Sequence, residues 1–154
     1  MRTLSYILIV IIIFYSTVFT QSSPQLDKTQ LDLNYYTKLK DQNIVLNVCN
    51  WGEYIADGTK NSMNVIKEFE DLTGIKVNYI IYDSNEDLYT KLRLEAVNYD
   101  VILPTDYIIK RMIDNKVVQK LNPDWLPARK NIDPFFLSLA YDPNGEYTIP
   151  YTWV

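Results

Sequence analysis

Two short segments of the sequence combine aromatic rings with a carboxylate, and this combination could bind a positively charged solute. Residues 50–54 read Asn-Trp-Gly-Glu-Tyr, and residues 104–107 read Pro-Thr-Asp-Tyr. An aromatic face attracts a cation by about 0.5–2 kcal/mol, depending on desolvation. A carboxylate within hydrogen-bond distance gives an ammonium group a charge-assisted partner, and Thr105 adds a hydroxyl. These residue types favour an organic amine over a phosphate or a sugar acid as ligand.

Each of these residues also has a purely structural interpretation. Trp51 could cap the edge of a sheet or pack on a neighbouring helix. Glu53 and Asp106 could be helix-start carboxylates, which the helix dipole favours. Tyr54 and Tyr107 carry little weight individually, because the sequence contains thirteen tyrosines. The residue types alone leave both interpretations open.

The absence of histidine excludes several kinds of site. Without it, neither Ser-His-Asp nor Cys-His catalysis nor a histidine-bearing zinc site can be built. The single cysteine, Cys49, excludes an intramolecular disulfide, and we expect it to be a small buried hydrophobe. No glycine-rich phosphate loop occurs in the sequence. With 15 basic against 19 acidic side chains, the net charge is −4, so a nucleic-acid partner is not expected.

An alternation of short strands and amphipathic helices must position the two segments. Three apolar runs are typical of buried strands: 44–49, 75–82 and 99–104. Three amphipathic stretches predict helices: 58–73, 85–96 and 107–114. Ser84 is the expected N-cap of the second helix, with Asp87 reaching back to it, and Gly74 is expected to end the first helix. The second helix is expected to turn Leu88, Leu92 and Ala96 inward. Turn signals fill most of the remainder, and residues 146–154 predict the beginning of another strand.

The spacing of these elements predicts an α/β fold and the place of its ligand site. Strands separated by helices favour right-handed βαβ crossovers and an open, mainly parallel sheet with helices on both faces. In such a sheet, ligands bind outside the carboxyl ends of the strands, where the strand order reverses. With the order 2-1-3, the crevice lies between the ends of the first and third strands. Residues 50–54 and 104–107 directly follow those ends.

The first 22 residues differ in character from the rest. One early cation, Arg2, precedes an aliphatic run from Ile7 to Phe14 and then small polar residues, which is the layout of a secretory signal peptide. The apolar stretch is shorter than the ~20 residues that cross a bilayer comfortably. We therefore expect residues 1–22 to be a signal peptide or an N-terminal anchor, 23–43 a polar linker, and 44–154 the folded part. This organisation predicts an extracytoplasmic location.

Several segments, in this order along the chain, resemble a known family. They are NWGEYIADGT (50–59), FEDLTGIKVNY (69–79), YDSNEDLYTKLR (82–93), YDVILPTDYIIKRMI (99–113), NIDPFF (131–136) and YTIPYTW (147–153). From about residue 44 onward, the sequence resembles the spermidine/putrescine-binding proteins of polyamine ABC importers, which are periplasmic solute-binding proteins. The resemblance implies a two-lobed fold, of which this chain matches the first, N-terminal lobe and is apparently truncated.

The resemblance implies ligand-binding roles for five residues. Trp51 would stack on the aliphatic chain of the polyamine, and Glu53 would bind a terminal ammonium group. Tyr54 would be a neighbouring contact. Thr105, where the family more often has Ser, and Tyr107 would supply hydroxyl oxygens.

Two further positions are weaker candidates for ligand binding. Asp106 lies in the motif but is less certainly a contact in the family. Gly52 stands where members often carry Ser or Thr, so one contact is expected to be lost. No metal ligands are implied.

The resemblance implies a non-enzymatic protein without a cofactor. It would capture spermidine or putrescine, interact with the membrane permease subunits of an ABC importer, and be monomeric when complete. A different interpretation is a truncated, membrane-tethered remnant without solute binding, which would act as an interaction module. A third, an α/β enzyme that uses Glu53 and Asp106 as a carboxylate pair for glycoside chemistry, has no other support in the sequence.

Overall fold

The computed structural model describes residues 24–152, so the predicted signal peptide or anchor at 1–22 lies outside the described residues. Helices and strands follow one another as α1 (Leu33–Thr37), β1 (Val45–Trp51), α2 (Val65–Thr73), β2 (Lys76–Tyr82), α3 (Asn85–Arg93), β3 (Val101–Ile102) and α4 (Asp106–Asp114). Helix α1 lies within the predicted linker segment and packs against α2. Within residues 24–152, no helix is long and apolar enough to cross a membrane.

The three strands form a parallel sheet in the order β2-β1-β3, which confirms the predicted strand order and fold class. β1 and β2 pair along their whole length, beginning with Val45 opposite Lys76. β3 is shorter than the predicted strand 99–104, because only Val101 and Ile102 pair with β1. The sheet is therefore open, and its central strand is the one that leads into residues 50–54.

The hydrophobic core includes residues of β1, β2, α3 and α4. Its buried members are Cys49, Tyr82, Leu88, Tyr89, Ile108 and Met112. Cys49 is fully buried, as predicted, and burial raises the pKa of its thiol, which disfavours the nucleophilic thiolate. Of the residues predicted to face inward from the second helix, Leu88 is buried. Ala96 is exposed, contrary to prediction, because α3 already ends at Arg93.

Helix α2 begins later than the predicted helix 58–73. It starts at Val65, and the side chain of Asn64 caps it by accepting the N–H of the third helical residue at 2.9 Å. Lys60 has a φ of 51°, which an α-helix excludes, so the preceding residues cannot continue the helix. The predicted end is confirmed, because Gly74 takes the left-handed conformation with a φ of 72°.

Helix α3 begins where the sequence predicts, although its capping contacts differ in detail. The Ser84 hydroxyl accepts the Asp87 N–H at 3.3 Å, so Ser84 is the N-cap. The carboxylate that accepts from the Ser84 hydroxyl, at 3.3 Å, belongs to Glu86. Asp87, the residue expected to reach back to the cap, instead forms an ion pair with Lys91 one turn along the helix.

Residues 146–152, the described part of the last predicted strand, do not form a strand, so this prediction is wrong. The buried carboxylate of Asp142 accepts the backbone N–H groups of Glu146 at 3.0 Å and of Tyr147 and Thr148 at 2.9 Å. These donors are therefore not free to pair with a neighbouring strand. The Asp142 carboxylate therefore holds residues 146–148 in a turn.

Candidate functional site

The parallel sheet brings the two segments singled out in the sequence to the same side of the molecule. β1 ends at Trp51, β2 ends opposite it at Tyr82, and β3 ends at Ile102. Because the strands are parallel, the residues that follow them lie along one edge of the sheet. We call this the carboxyl edge and define it as residues 51–54, 82–86 and 103–107.

Trp51 is half-buried at the carboxyl edge and packs on the ring of Tyr82 in β2. The ring centroids lie 4.5 Å apart, with an angle of 41° between the planes. The indole N–H of Trp51 is buried and has no hydrogen-bond partner within residues 24–152. Trp51 therefore packs on a neighbouring strand and against the hydrophobic core, and its N–H is a polar group that the described part of the fold leaves unsatisfied.

Glu53 lies in the turn after β1 and not at the start of a helix. Its φ of 62° is left-handed, a conformation that costs a residue with a side chain about 1–2 kcal/mol. The side chain is exposed, and within residues 24–152 its carboxylate has neither a hydrogen bond nor an ion pair. The helix-start interpretation of Glu53 is therefore wrong, and no described residue forms an ion pair or hydrogen bond with this charge.

Gly52 and Tyr54 lie on either side of Glu53. A Cβ atom at Gly52 would lie 3.7 Å from Cγ2 of Ile81, an ordinary contact, so a side chain would fit there. Tyr54 is 46% exposed, and its backbone carbonyl accepts a hydrogen bond from the Tyr151 hydroxyl. This bond joins the turn after β1 to the last described part of the chain.

At the start of α4, the Asp106 carboxylate interacts with the helix N-terminus, whereas the hydroxyls of Thr105 and Tyr107 form hydrogen bonds with other side chains. Oδ1 of Asp106 accepts the Tyr107 N–H at 2.7 Å, so this carboxylate interacts with the helix N-terminus, where negative charge is favoured. Thr105 occupies the N-cap position, but its hydroxyl does not cap the helix. The Thr105 hydroxyl instead accepts a hydrogen bond from Asn85. Tyr107 is 60% exposed, although its hydroxyl is hydrogen-bonded.

Asn85 connects these groups, and reasoning from the sequence missed it. It is the first residue of α3 and is only 2% exposed. Its Nδ2 donates to the hydroxyls of Thr105 and Tyr107, the latter at 2.9 Å, and its Oδ1 lies 3.2 Å from the hydroxyl of Tyr82. The available signal is the Ser-Asn-Glu run at 84–86, directly after β2, which the sequence indicates only as a helix start.

Glu86 completes the hydrogen-bond network at the carboxyl edge. Its Oε1 accepts the Tyr107 hydroxyl at 3.1 Å. The backbone N–H of Glu86 and, after it, this hydroxyl lower the pKa of the carboxyl group below its ordinary value, so it is ionised at neutral pH. The carboxyl edge therefore carries hydroxyl groups next to an ionised carboxylate. Within residues 24–152, no cluster of His, Cys, Asp and Glu side chains could hold a metal ion.

Comparison with known sequences identifies relatives of this chain. The spermidine/putrescine-binding periplasmic protein of Escherichia coli (strain K12) is 37% identical over 114 residues, which are 73% of this chain and 31% of that protein. The putrescine-binding periplasmic protein SpuD of Pseudomonas aeruginosa (strain UCBPP-PA14) is 40% identical over 113 residues, which are 72% of this chain and 29% of that protein. No protein-family model matches the chain.

Solved structures of similar proteins share the fold. The spermidine/putrescine ABC transporter substrate-binding protein PotD of Streptococcus pneumoniae matches with a TM-score of 0.65 and 34% identity, over 71% of this chain and 32% of that one. The TpPotD lipoprotein of Treponema pallidum matches with a TM-score of 0.61 and 32% identity, over 70% of this chain and 32% of that one. The chain thus spans about a third of the length of the relatives it matches. The resemblance is confirmed: by sequence and by fold, the chain is homologous to part of the spermidine/putrescine-binding periplasmic proteins.

Proposed function

We propose that this chain is part of the solute-binding component of an ABC importer and captures a polyamine, spermidine or putrescine, outside the cytoplasm. The relatives named above support the solute class and the location, since their names specify spermidine or putrescine and the periplasm. The solute-loaded protein would then interact with membrane permease subunits. Capture and release need no chemical step, so the proposed role is non-enzymatic.

The unpaired carboxylate of Glu53 is the observation that carries this proposal. The turn after β1 holds this residue in a left-handed conformation, exposed and without a hydrogen bond or ion pair within residues 24–152. Unfavourable backbone conformations of this kind are typical of ligand-binding segments. A terminal ammonium of a polyamine supplies both the opposite charge and the N–H donors that such a carboxylate accepts.

Four neighbouring residues complete the proposed contact surface: Trp51, Tyr54, Thr105 and Tyr107. The half-buried indole of Trp51 and the exposed ring of Tyr54 offer aromatic surface to the aliphatic chain and to its charged ends. The hydroxyls of Thr105 and Tyr107 offer oxygens to an ammonium group. Polyamines present both features, apolar methylene segments and terminal ammonium groups.

The two remaining candidates contribute less to the proposed site. Asp106 already bonds the Tyr107 N–H at the start of α4. Gly52 has no side chain to offer, although the space around it would admit one.

Removal of the charge at Glu53 tests the proposal. The chain would be titrated with putrescine while its amide signals are followed by two-dimensional NMR, which detects millimolar binding. We expect Glu53→Gln to weaken binding about twofold to fivefold, the size of an exposed ion pair. Glu95→Gln is the matched control, because Glu95 is also exposed, also has a left-handed φ of 53°, and lies beyond the far end of α3.

Two outcomes would contradict the proposal in different ways. Equal losses in both variants would mean that only the net charge matters, and the contact at Glu53 would be rejected. Absence of wild-type binding in the millimolar range would reject polyamine capture by this chain. It would favour the alternative of an interaction module without solute binding.

A further inference from the structure

We propose that Glu86 sets the hydrogen-bond polarity of Tyr107 at the carboxyl edge, so that this hydroxyl presents an acceptor position to a bound solute. This inference rests on the proposed function, because the solute it concerns is an amine. Glu86 acts through the Tyr107 hydroxyl and is therefore a positioning residue.

The backbone N–H of Thr105 determines the orientation of the Asn85 amide. Its hydrogen-bond partner within residues 24–152 is Oδ1 of Asn85, at 3.4 Å. A flipped amide would place an NH₂ group against this N–H, so two donors would face each other. Nδ2 of Asn85 therefore faces the hydroxyl oxygens of Thr105 and Tyr107 and donates to both.

The hydroxyl of Tyr107 has one hydrogen, and Glu86 receives it. An ionised carboxylate can only accept, so the phenolic hydrogen points to Oε1, 3.1 Å away. Asn85 occupies one acceptor position of the same hydroxyl at 2.9 Å. The hydrogen-bonding position that remains free on the Tyr107 hydroxyl is therefore an acceptor position.

The hydroxyl of Thr105 is not restricted in this way. It receives one N–H from Asn85 and keeps one acceptor position and its own hydrogen. Thr105 can therefore accept from a solute or donate to it. The fixed polarity at the carboxyl edge belongs to Tyr107, whose hydrogen Glu86 accepts.

This polarity discriminates between solutes by hydrogen-bond geometry in addition to charge. An ammonium group only donates and therefore matches the acceptor positions on Thr105 and Tyr107. A phosphate or carboxylate only accepts and would find at these two residues a single hydrogen, that of Thr105. The Glu86–Tyr107 pair therefore favours amines over anions of similar size.

Glu86→Gln tests the inference. A glutamine can turn its NH₂ group to the Tyr107 hydroxyl, whose hydrogen is then free to point towards the solute. We expect putrescine to bind about twofold to fivefold more weakly. NMR titration measures the affinity, and thermal unfolding establishes that the variant is folded.

A double-mutant cycle with Tyr107→Phe separates an effect of polarity from an effect of charge. In a Tyr107→Phe background Glu86→Gln should have no effect, since the hydroxyl is absent. Asp87→Asn, on the same turn of α3 and with the same change of charge, is the control and should bind like its parent in both backgrounds.

The possible failures of the inference and of the proposed function are distinguishable. An equal loss from Glu86→Gln with and without the Tyr107 hydroxyl would overturn the polarity argument and leave polyamine binding intact, because the carboxylate would then act by charge. Absence of wild-type binding would overturn the proposed function, and this inference with it.

Discussion

Glu53 and Glu95 are both exposed and both left-handed, with φ values of 62° and 53°. This conformation costs a residue with a side chain about 1–2 kcal/mol, whereas glycine adopts it freely. Glycine in turn loses about 0.5–1 kcal/mol more conformational entropy on folding. We therefore expect Glu53→Gly and Glu95→Gly each to stabilise the chain by about 0.5–1 kcal/mol, measured by urea unfolding.

The two glycine variants should differ in binding while they agree in stability. Glu53→Gly removes the proposed ammonium partner, so putrescine affinity should fall as it does in Glu53→Gln. Glu95→Gly should leave the affinity unchanged. Suppose that Glu53→Gly were more stable and bound putrescine as tightly as the wild type. The left-handed conformation of Glu53 would then be a feature of the turn alone, and the proposed role of Glu53 in binding would be rejected.

Candidate ligand residues at the carboxyl edge could be predicted from the sequence, but the hydrogen bonds between them could not. Trp51, Glu53 and Thr105 stand out because an indole, a carboxylate and a hydroxyl suggest chemistry wherever they follow a strand. Asn85 does not stand out, because its partners lie 20 and 22 residues further along the chain. A buried polar residue acquires its role from the groups that the sheet order brings to it, and this information is not local.

Local patterns predict elements well when neighbouring residues alone decide them. The cap at Ser84 and the stop at Gly74 both depend on contacts within a few residues, and both are confirmed. The start of α2 was harder to predict, because Asn64 is a better cap than Gly58 and lies inside the amphipathic pattern. The predicted strand after residue 145 could not be assessed from neighbouring residues alone, because a strand needs a pairing partner. The Asp142 carboxylate instead accepts the backbone N–H groups that would have paired.

The turn that replaces this strand should depend on pH through Asp142. Burial by itself raises the pKa of Asp142, but the backbone N–H groups and the Thr148 hydroxyl outweigh it and hold the pKa below its ordinary value of 3.8. A lowered folded-state pKa means that the carboxylate stabilises the fold above the unfolded-state value. This stabilisation is lost as the pH falls through the folded-state pKa.

Asp142→Asn should therefore lose stability near neutral pH and not in strong acid. We expect a loss of about 1–3 kcal/mol in urea unfolding at neutral pH, because a neutral amide oxygen replaces a charged acceptor of several bonds. The difference from the wild type should shrink as Asp142 becomes protonated. Asp133→Asn is the control, because Asp133 is exposed and accepts a single backbone N–H, that of Phe135 at 2.9 Å. A difference between Asp142→Asn and wild type that did not vary with pH would contradict the carboxylate's role.

At the scale of the described chain, the carboxyl edge is an open surface. Glu53, Tyr54 and Tyr107 are all exposed, so a solute bound to them would stay largely in contact with water. Cation–π and ionic contacts are weakest in that environment, where water and salt screen them. In the two-lobed fold that the resemblance implies, a second lobe would close over the solute and remove this screening.

The affinity of this chain for polyamines follows from that openness. If a complete two-lobed protein binds its solute with a dissociation constant of about 1 μM, the binding free energy is about −8 kcal/mol. If each lobe contributes equally, one lobe supplies about −4 kcal/mol, which corresponds to a dissociation constant of about 1 mM. Solvent exposure of the contacts makes this value an upper bound on affinity. We therefore expect the chain to bind spermidine or putrescine no more tightly than about 1 mM, in tryptophan-fluorescence and NMR titrations at physiological salt. Saturable micromolar binding would show that the carboxyl edge suffices alone, and the need for contacts from a second lobe would have to be given up.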